Sequence, residues 1–480
     1  MEIIKATLVL WILVALIAIL AAGYLYFKNL KNSPRNFWLF LTADIFLSFG
    51  YGIMVFSIFT YIQTVFGDPG VKIYNFMWIG TIPLLTILLA PFCDAAGLRK
   101  TLIYGTFFII LGTFLTPLFN NIYVVLLLGL IPLVIGKAVL SPVFSIGIKR
   151  YTNKNNVTVG FGLFSILTAL SMSAGSVFYS YFEDIFNIRN SGDLFFGHFS
   201  IFQILIFASF IFSVPALLMG LFINEEIKTD NKKILLNFRK VIGDMKNIFI
   251  RVIKSRIFWI FIFVIGSLVF VRILFFHFNY LLPKYGHRVF SDKIKIAKIM
   301  MINGFVVGGL TIFVPLLTKK IKSYNMLIAG TFVSATSVFI ASFPGKIWTG
   351  LANSWLGDLI YIKLFEFSGE RMPEIVGLVV FIVVFSVGEA IWSPRIAQFT
   401  VETAPKGQES TYLGLSSVPF IMSKFLMGPL AGILLTKYVP LDESGSSLNH
   451  YPDRYAVWIW IGIISIITPL LLFSKRKKLQ

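Results

Sequence analysis

Long apolar runs alternate with short polar segments along the whole chain. A helix needs about 20 apolar residues to span a bilayer, and thirteen runs have about that length or more. The pattern predicts an all-α, polytopic membrane protein. The runs lie at residues 3–27, 37–62, 74–95, 101–120, 122–148, 158–183, 199–223, 258–283, 293–318, 325–343, 374–398, 407–437 and 455–473.

Lys and Arg residues gather in segments that share one side if every run crosses the membrane. The positive-inside rule makes that side cytoplasmic. The opposite segments, such as GDPG and LDESGSSLNHYPD, are poorer in Lys and Arg. The first run is then a retained helix with its N-terminus outside, although its small residues also fit a cleaved signal peptide. The segment 344–373 is either a structured outer loop or a set of membrane-dipping elements.

A basic segment separates the six runs that follow the first one from the last six. Within residues 224–257, apolar side chains recur at helical spacing with Lys and Arg between them. This pattern predicts an amphipathic helix on the inner leaflet, with a solvated linker as the alternative. Two six-helix bundles with a cytoplasmic bridge are typical of two-bundle transporters. The predicted domains are an extra helix with its linker (1–36), a first bundle (37–223), the basic linker (224–257) and a second bundle (258–480).

Composition excludes several function classes. The chain is 57% hydrophobic and 13% charged, whereas soluble domains have about a quarter of their residues charged. The net charge of +20 lies in short segments between apolar runs, so it indicates topology rather than a nucleic-acid partner. We find no metal-ligand spacing, Ser/His/Asp arrangement or phosphate loop. No catalytic residue, metal site or cofactor is therefore predicted, and the chain is not expected to be an enzyme.

Ionisable residues inside the apolar runs are the candidate site. A charge at mid-bilayer costs about 2.5–3.5 kcal/mol on insertion scales, so such residues face a bundle interior or a watery cavity. We expect them to converge on one wet chamber between the two bundles. The predicted substrate-binding residues are Lys137, Arg272, Glu389, Lys424, Tyr51 and Ser141, and the predicted proton-coupling residues are Glu389 and Asp44.

Two interpretations of Glu389 stay open. It forms a fixed interhelical ion pair with Arg272, or it switches between a basic partner and a substrate amine or proton. Bases outnumber acids in this set, which favours a substrate with a carboxylate or another anionic group. His277 is expected to be a structural hydrogen-bonding residue. Arg395 lies near the inner end of its run, from which a long side chain can snorkel to the interface.

The segment PFCDAAGLRKTLIYG resembles the cytoplasmic-loop signature of the major facilitator superfamily, G-x-x-x-D-x-x-G-R-K. Ala90 stands in place of the leading glycine. The corresponding segment of the second half, PLLTKKIKSYNMLIAG, lacks the acid. The resemblance implies a conformational gate, in which the acid can accept hydrogen bonds from a neighbouring helix N-terminus or pair with an arginine in one transport state. The matching residues are Asp94, Gly97, Arg99 and Lys100.

The segment GEAIWSPRIAQFTVETAP is similar to the tenth-helix region of the proton-dependent oligopeptide transporter family. The matching residues are Gly388, Glu389, Ser393, Pro394, Ala404 and Pro405, with Gly414 in the next helix. The first helix departs from that family, because Asp44 takes the place of one glutamate while Leu47 and Ser48 replace the second glutamate and an arginine. Lys424 stands where the family usually has an amide.

These observations predict a secondary active transporter that moves a small polar solute by alternating access with proton coupling. A peptide or amino-acid-like solute is the leading substrate. The alternatives are an exporter of organic anions or drug-like compounds, and a non-transporting receptor on a transporter fold. The expected partners are the solute, a proton and membrane lipids. The expected state is a monomer in a bacterial inner membrane.

Overall fold

The computed structural model describes residues 20–185, 199–224, 254–290, 296–364, 371–440 and 451–476. Twelve described helices are long and apolar enough to cross a membrane. The all-α class with two six-helix bundles is confirmed. The spans are α1 (Arg35–Gly67), α2 (Pro69–Ala96), α3 (Leu98–Leu118), α4 (Ile122–Tyr151), α5 (Val157–Phe182), α6 (Ile201–Phe222), α7 (Arg256–Phe290), α8 (Ile299–Leu317), α9 (Ser323–Ala341), α10 (Pro373–Thr403), α11 (Glu409–Tyr438) and α12 (Ala456–Ser474).

Two predicted segments fall largely outside the described residues. Of the first apolar run, residues 20–27 are described; residues 20–30 are helical, and Tyr26 and Leu30 are buried. The predicted amphipathic linker lies outside the description over residues 225–253. The predicted domain limits therefore stay predictions.

The first compact unit contains the described residues up to Phe258 together with Pro315–Lys319 and Thr400–Ser417. In this unit α1 packs on α5 and α6, and α3 packs on α4 and α6. Small residues permit the closest approach, as is common between membrane helices. A Cβ atom on Gly136 of α4 would lie 2.7 Å from the carbonyl oxygen of Gly105 in α3.

The second compact unit contains the described parts of Trp259–Val314 and Lys320–Phe399 and those from Val418 onward. Its core is built from large side chains of α7, α10 and α12. Tyr285, Phe381 and Trp458 are almost fully buried in one cluster. The ring centroids of Phe381 and Trp458 are 5.6 Å apart, and those of Tyr285 and Trp458 are 5.1 Å apart. Packing of these rings thus joins the three helices, and Thr468 of α12 adds hydrogen bonds to the backbone of α7 at Ser267 and Val271.

The sequence pattern predicts a loop around GDPG between the second and third runs, but the break between the two helices is shorter than this loop. Helix α1 continues to Gly67 and α2 begins at Pro69. Gly67 has a φ of 61°, a left-handed conformation that favours glycine, so one residue makes the break. The run lengths underestimate both helices because polar residues such as Gln63 and Lys72 are still helical.

The segment between α9 and α10 is a structured loop rather than a further span. It contains two short helices, Gly345–Ala352 and Trp355–Asp358, and a π-helical turn, Leu359–Leu364. None of these elements has the length needed to cross a bilayer. The described part of this segment therefore forms no further span, and both predicted alternatives, a structured outer loop and membrane-dipping elements, stay open.

Replacing Gly136 by alanine should destabilise the first unit. The added methyl group would meet backbone atoms of Gly105 and Ile109 at 2.7 and 2.8 Å, and such overpacking costs about 1–3 kcal/mol. Gly304→Ala is the matched control, because a Cβ atom there meets nothing within 4 Å. Thermal unfolding in detergent should show a lower midpoint for Gly136→Ala alone. Equal midpoints for the two variants would contradict the packing described.

Candidate functional site

The first unit contains a cavity of about 220 Å³ that all six of its spans line. Four predicted site residues line it together: Asp44, Tyr51, Lys137 and Ser141. The structure thus brings the first-half candidates into one place. The lining also includes residues that the sequence did not single out, among them Trp78 of α2, Thr168 of α5, and Ser209 and Ser213 of α6.

Asp44 is a buried carboxylate held by hydroxyl groups. Its Oδ2 accepts a hydrogen bond from Thr168 of α5, and its Oδ1 accepts one from Ser48 at 3.4 Å. It also interacts electrostatically with Lys137. The Thr168 hydroxyl lies 2.8 Å from the Phe164 carbonyl oxygen as well. It therefore has a second acceptor for its proton.

Lys137 of α4 points its ammonium group at an aromatic ring. Its Nζ lies 3.7 Å from the ring centroid of Tyr51, which is a cation–π contact. Trp78 stacks on Tyr51 and donates its indole N–H to the Tyr51 hydroxyl at 3.3 Å. Among the described residues the ammonium has no hydrogen-bond acceptor. Because an ammonium carries three donors, Lys137 can bind an anionic oxygen from a solute.

Glu389 is the central acid of the second unit. Its Oε2 accepts a hydrogen bond of 2.9 Å from the side-chain amide of Asn303 in α8, which also donates to Ser386 at 2.9 Å. Arg272 interacts with it electrostatically. The preceding Gly388 lets α10 approach α9, because a Cβ atom there would lie 2.3 Å from Ser334 Oγ.

Arg272 and Lys424 lie over aromatic rings. The Arg272 guanidinium is 5.0 Å from the Trp392 ring centroid and 5.9 Å from that of Phe420. Lys424 Nζ is 4.3 Å from the Phe420 ring centroid. A direct Arg272–Glu389 hydrogen bond is not among the contacts of the described residues. The two groups still interact electrostatically, so both interpretations of Glu389, the fixed pair and the switch between partners, stay open.

Two sequence expectations are wrong. Arg395 does not snorkel: it is only 3% exposed and donates to Gln398 at 2.6 Å. Helix α10 continues to Thr403, two turns beyond Arg395, which explains the burial. His277 is not a hydrogen-bonding residue, because its ring is fully buried and neither nitrogen finds a partner among the described residues.

Asp94 binds the first turn of α11, within the first compact unit. Its oxygens accept hydrogen bonds from the backbone N–H groups of Ser410 and Thr411, at 2.7 and 2.8 Å, and from the Thr411 hydroxyl at 2.6 Å. The negative charge also faces the positive end of the helix dipole. Gly97, with a φ of 84°, makes the turn between α2 and α3.

The two basic residues that follow Gly97 are Arg99 and Lys100, in the first turn of α3. Arg99 donates to the carbonyl oxygen of Leu221, in the last turn of α6, at 2.8 Å. Lys100 is half-buried. A third base, Lys149 of α4, donates to the Val401 carbonyl and interacts electrostatically with Glu402 and Glu409. The sequence showed Lys149 only as a topology charge, because nothing in its neighbours predicts this contact.

Thr168, Trp78 and Asn303 were missed for a common reason. Each is uncharged, and each lies in an apolar run where a single polar side chain is unremarkable. The available signal is weak: a hydroxyl or amide in a span tends to bond within the protein, since lipid offers no partner. That signal selects many residues and does not identify the acid that each one contacts.

The twelve spans of the described residues, with an acid and a base inside each compact unit, indicate a polytopic membrane protein. The family model of the Major Facilitator Superfamily matches residues 73–362, more than half of the sequence. The chain belongs to the Major Facilitator Superfamily, a family of membrane transporters. The predicted family is confirmed. No curated protein matches the chain in sequence.

Solved structures share the fold at low sequence identity. The E. coli fucose:proton symporter FucP matches with a TM-score of 0.60 and 12% identity, over 92% of this chain and 98% of that one. The human organic anion transporter MFSD10 matches with a TM-score of 0.60 and 11% identity, over 92% and 100%. A POT family transporter in complex with a thioalcohol-conjugated peptide matches with a TM-score of 0.53 and 15% identity, over 93% and 97%. These similarities show the fold alone.

Replacing Asp94 by asparagine should loosen the first turn of α11. The amide would present its NH₂ group to N–H donors, and hydrogen bonds to a charged group are worth about 1.5–3 kcal/mol each. Hydrogen exchange of the Ser410 and Thr411 amides should accelerate at least about tenfold. Asp358→Asn is the control, because that exposed carboxylate pairs with Arg371 in the other unit. Unchanged exchange at Ser410 and Thr411 would show that Asp94 does not stabilise this turn.

Proposed function

We propose that the protein is a secondary active transporter that moves a small solute with a carboxylate or another anionic group by alternating access. A peptide or amino-acid-like solute is the leading substrate, and protons are the coupling ion. The observation that carries the proposal is the cavity of the first unit. There Lys137 presents an ammonium group without a described hydrogen-bond acceptor, beside an acid held by hydroxyl groups.

The cavity favours a small solute. Its volume of about 220 Å³ is below the roughly 300–1,000 Å³ that is usual for sites of drug-sized ligands. Lys137 would bind the anionic group, and the stacked Tyr51 and Trp78 rings would contact the apolar part of the solute. Ser141, which also lines the cavity, offers a further hydroxyl. The same reasoning makes Arg272 and Lys424 the anion-binding candidates of the second unit.

Proton coupling is supported by the partners of the two buried acids. A hydroxyl group can donate or accept, so Thr168 can give its proton to the Phe164 carbonyl and accept one from a protonated Asp44. The amide of Asn303 can likewise present its oxygen instead of its NH₂ group to a protonated Glu389. Both acids can therefore stay hydrogen-bonded in either protonation state, which a proton carrier needs.

Asp94 differs from these acids and is proposed to act as a gate. Two of its partners are backbone N–H groups, which cannot become acceptors. The site is thus complementary to the ionised carboxylate alone. We assign Asp94, Gly97, Arg99 and Lys100 to holding one conformational state, and Lys149 to the same role on the strength of its contact with Val401.

Transport of organic anions is the second candidate. Arg272 and Lys424 outnumber the one acid, Glu389, in the set described for the second unit, and an excess of base favours an anion without an amine. The fold similarity to a human organic anion transporter agrees with this candidate. A non-transporting receptor would use the same cavity without coupling. For each candidate we propose a monomeric, non-enzymatic protein in a bacterial inner membrane.

Uptake into proteoliposomes tests the coupling. With labelled dipeptides, amino acids and organic anions, an inside-alkaline gradient should stimulate uptake of the true substrate. Asp44→Asn and Glu389→Gln should each lose the stimulation while substrate exchange without a gradient continues, because the solute site remains. Asp358→Asn, which alters an exposed acid, should behave as wild type. Full stimulation in both Asp44→Asn and Glu389→Gln would exclude these acids as proton carriers.

Binding measurements test Lys137. Lys137→Gln should weaken binding of the carboxylate form of the substrate about 10- to 150-fold, which corresponds to one hydrogen bond to a charged group of about 1.5–3 kcal/mol. An analogue with the carboxylate converted to an amide should bind wild type and Lys137→Gln about equally. Lys406→Gln, at an exposed position, is the control. An equal loss of affinity for both forms would contradict the assigned role of Lys137.

A further inference from the structure

The loop between α9 and α10 carries a stripe of exposed apolar side chains. We refer to residues 343–364 as the outer cap. Ile347 and Trp355 are 61% and 76% exposed, and the other members of the stripe exceed a third. Successive members are three or four residues apart, and they follow one another through Phe343, the two short helices and the π-helical turn. The stripe consists of Phe343, Ile347, Leu351, Trp355, Leu359 and Ile362.

The remaining positions of the outer cap divide into two further faces. One face is buried against the core of the second unit, through Ala352, Ile360 and Tyr361, with Trp348 and Leu356 partly buried beside them. The other face is exposed and polar, with Lys346, Thr349, Asn353 and Asp358. A helix beside a bundle in the membrane interface needs three such faces, one each for protein, lipid and water.

Polar contacts fix the orientation of the outer cap. Arg371 donates to the Ala352 carbonyl at 3.0 Å and pairs with Asp358 at 2.5 Å. At the other end, the Gly345 N–H donates to the Tyr455 hydroxyl at 3.3 Å. The exposed stripe is therefore held outward by bonds to the segments that begin α10 and α12. Rotation of the cap to bury its apolar side chains would break these bonds.

The position of the outer cap along the chain indicates that its exposed stripe contacts lipid. The chain leaves the membrane at Ala341 and re-enters it at Pro373, so both ends of the loop are tied to the membrane surface. The stripe begins two residues after α9, whose exposed Phe332 belongs to the lipid-facing surface of that span. Tryptophan and lysine are the residues that anchor proteins at the level of lipid headgroups. The stripe thus continues the lipid-facing surface.

We propose that the outer cap lies in the headgroup region of the outer leaflet, with its six apolar side chains in contact with lipid acyl chains and its polar face in water. The proposal is independent of the substrate and of proton coupling. It assigns to this loop a lipid-binding surface on the second unit.

Spin-label accessibility tests the proposal in the full chain in lipid vesicles. Cys93, the single cysteine, is first replaced by alanine. Labels are then attached to Ile347→Cys and Trp355→Cys on the stripe, and to Thr349→Cys and Asn353→Cys on the polar face as matched controls. Stripe labels should be relaxed more by oxygen than by a water-soluble nickel chelate, and control labels should show the reverse order. The same aqueous accessibility on both faces would overturn the proposal.

Two further measurements separate the alternatives. Dipolar broadening between Trp355→Cys labels at low protein-to-lipid ratio would mean that a second copy covers the stripe, which also overturns the proposal. If Cys93→Ala does not fold, tryptophan quenching by lipids brominated near the headgroup replaces the labels. Trp355→Leu should lower the quenched fraction of the fluorescence relative to wild type. An unchanged quenched fraction would overturn the proposal.

Discussion

The ionised groups described inside the spans contact hydroxyl, amide or backbone groups or aromatic rings of the protein, and these contacts limit what each group can do. Lipid supplies no hydrogen bonds, so a buried charge must be satisfied by the protein itself. The chemical type of that partner then limits what the charge can do. Asp94 is held by backbone N–H groups, which suit only a carboxylate, whereas Asp44 and Glu389 are held by a hydroxyl and an amide that can reverse their roles. The three buried acids are therefore suited to different tasks, because their hydrogen-bond partners differ in type.

The acid and the base of each unit lie on corresponding helices of the two halves, but their positions are exchanged. In the first unit the acid is on the first helix and the base on the fourth, Asp44 on α1 and Lys137 on α4. In the second unit the base is on the first helix and the acid on the fourth, Arg272 on α7 and Glu389 on α10. Within each unit the acid and the base interact electrostatically. Within each pair the two charges therefore offset each other, which reduces the cost of placing them in the membrane, and Lys424 adds a further positive charge to the second unit.

The sequence predicted the spans and singled out the charged residues inside them as candidates, but it did not predict the contacts of these residues. Span positions follow from run length, because about 20 apolar residues are a strong signal, and charged residues in such runs are few enough to single out. Partners depend on which faces meet, and Thr168 or Asn303 cannot be told from other polar residues in apolar runs. Arg395 shows the same limit: its distance from a helix end was judged from hydropathy, whereas α10 continues through polar residues to Thr403.

The loop that follows the second helix is held by different contacts in the two halves. In the second half its partner is Asn29 in the N-terminal helix. In the first half Asp94 supplies a charged acceptor to backbone donors. The second-half loop has no acid; its Lys319 instead donates to Asn29 at 3.1 Å, and Asn156 donates to the Asn29 carbonyl at 2.6 Å. Hydrogen bonds to charged groups are worth about 1.5–3 kcal/mol each; the second-half loop makes one such bond, the exposed one from Lys319, whereas Asp94 accepts three. Since Asp94 accepts three bonds and its donors are mainly fixed backbone groups, the first-half contact is the harder one to release.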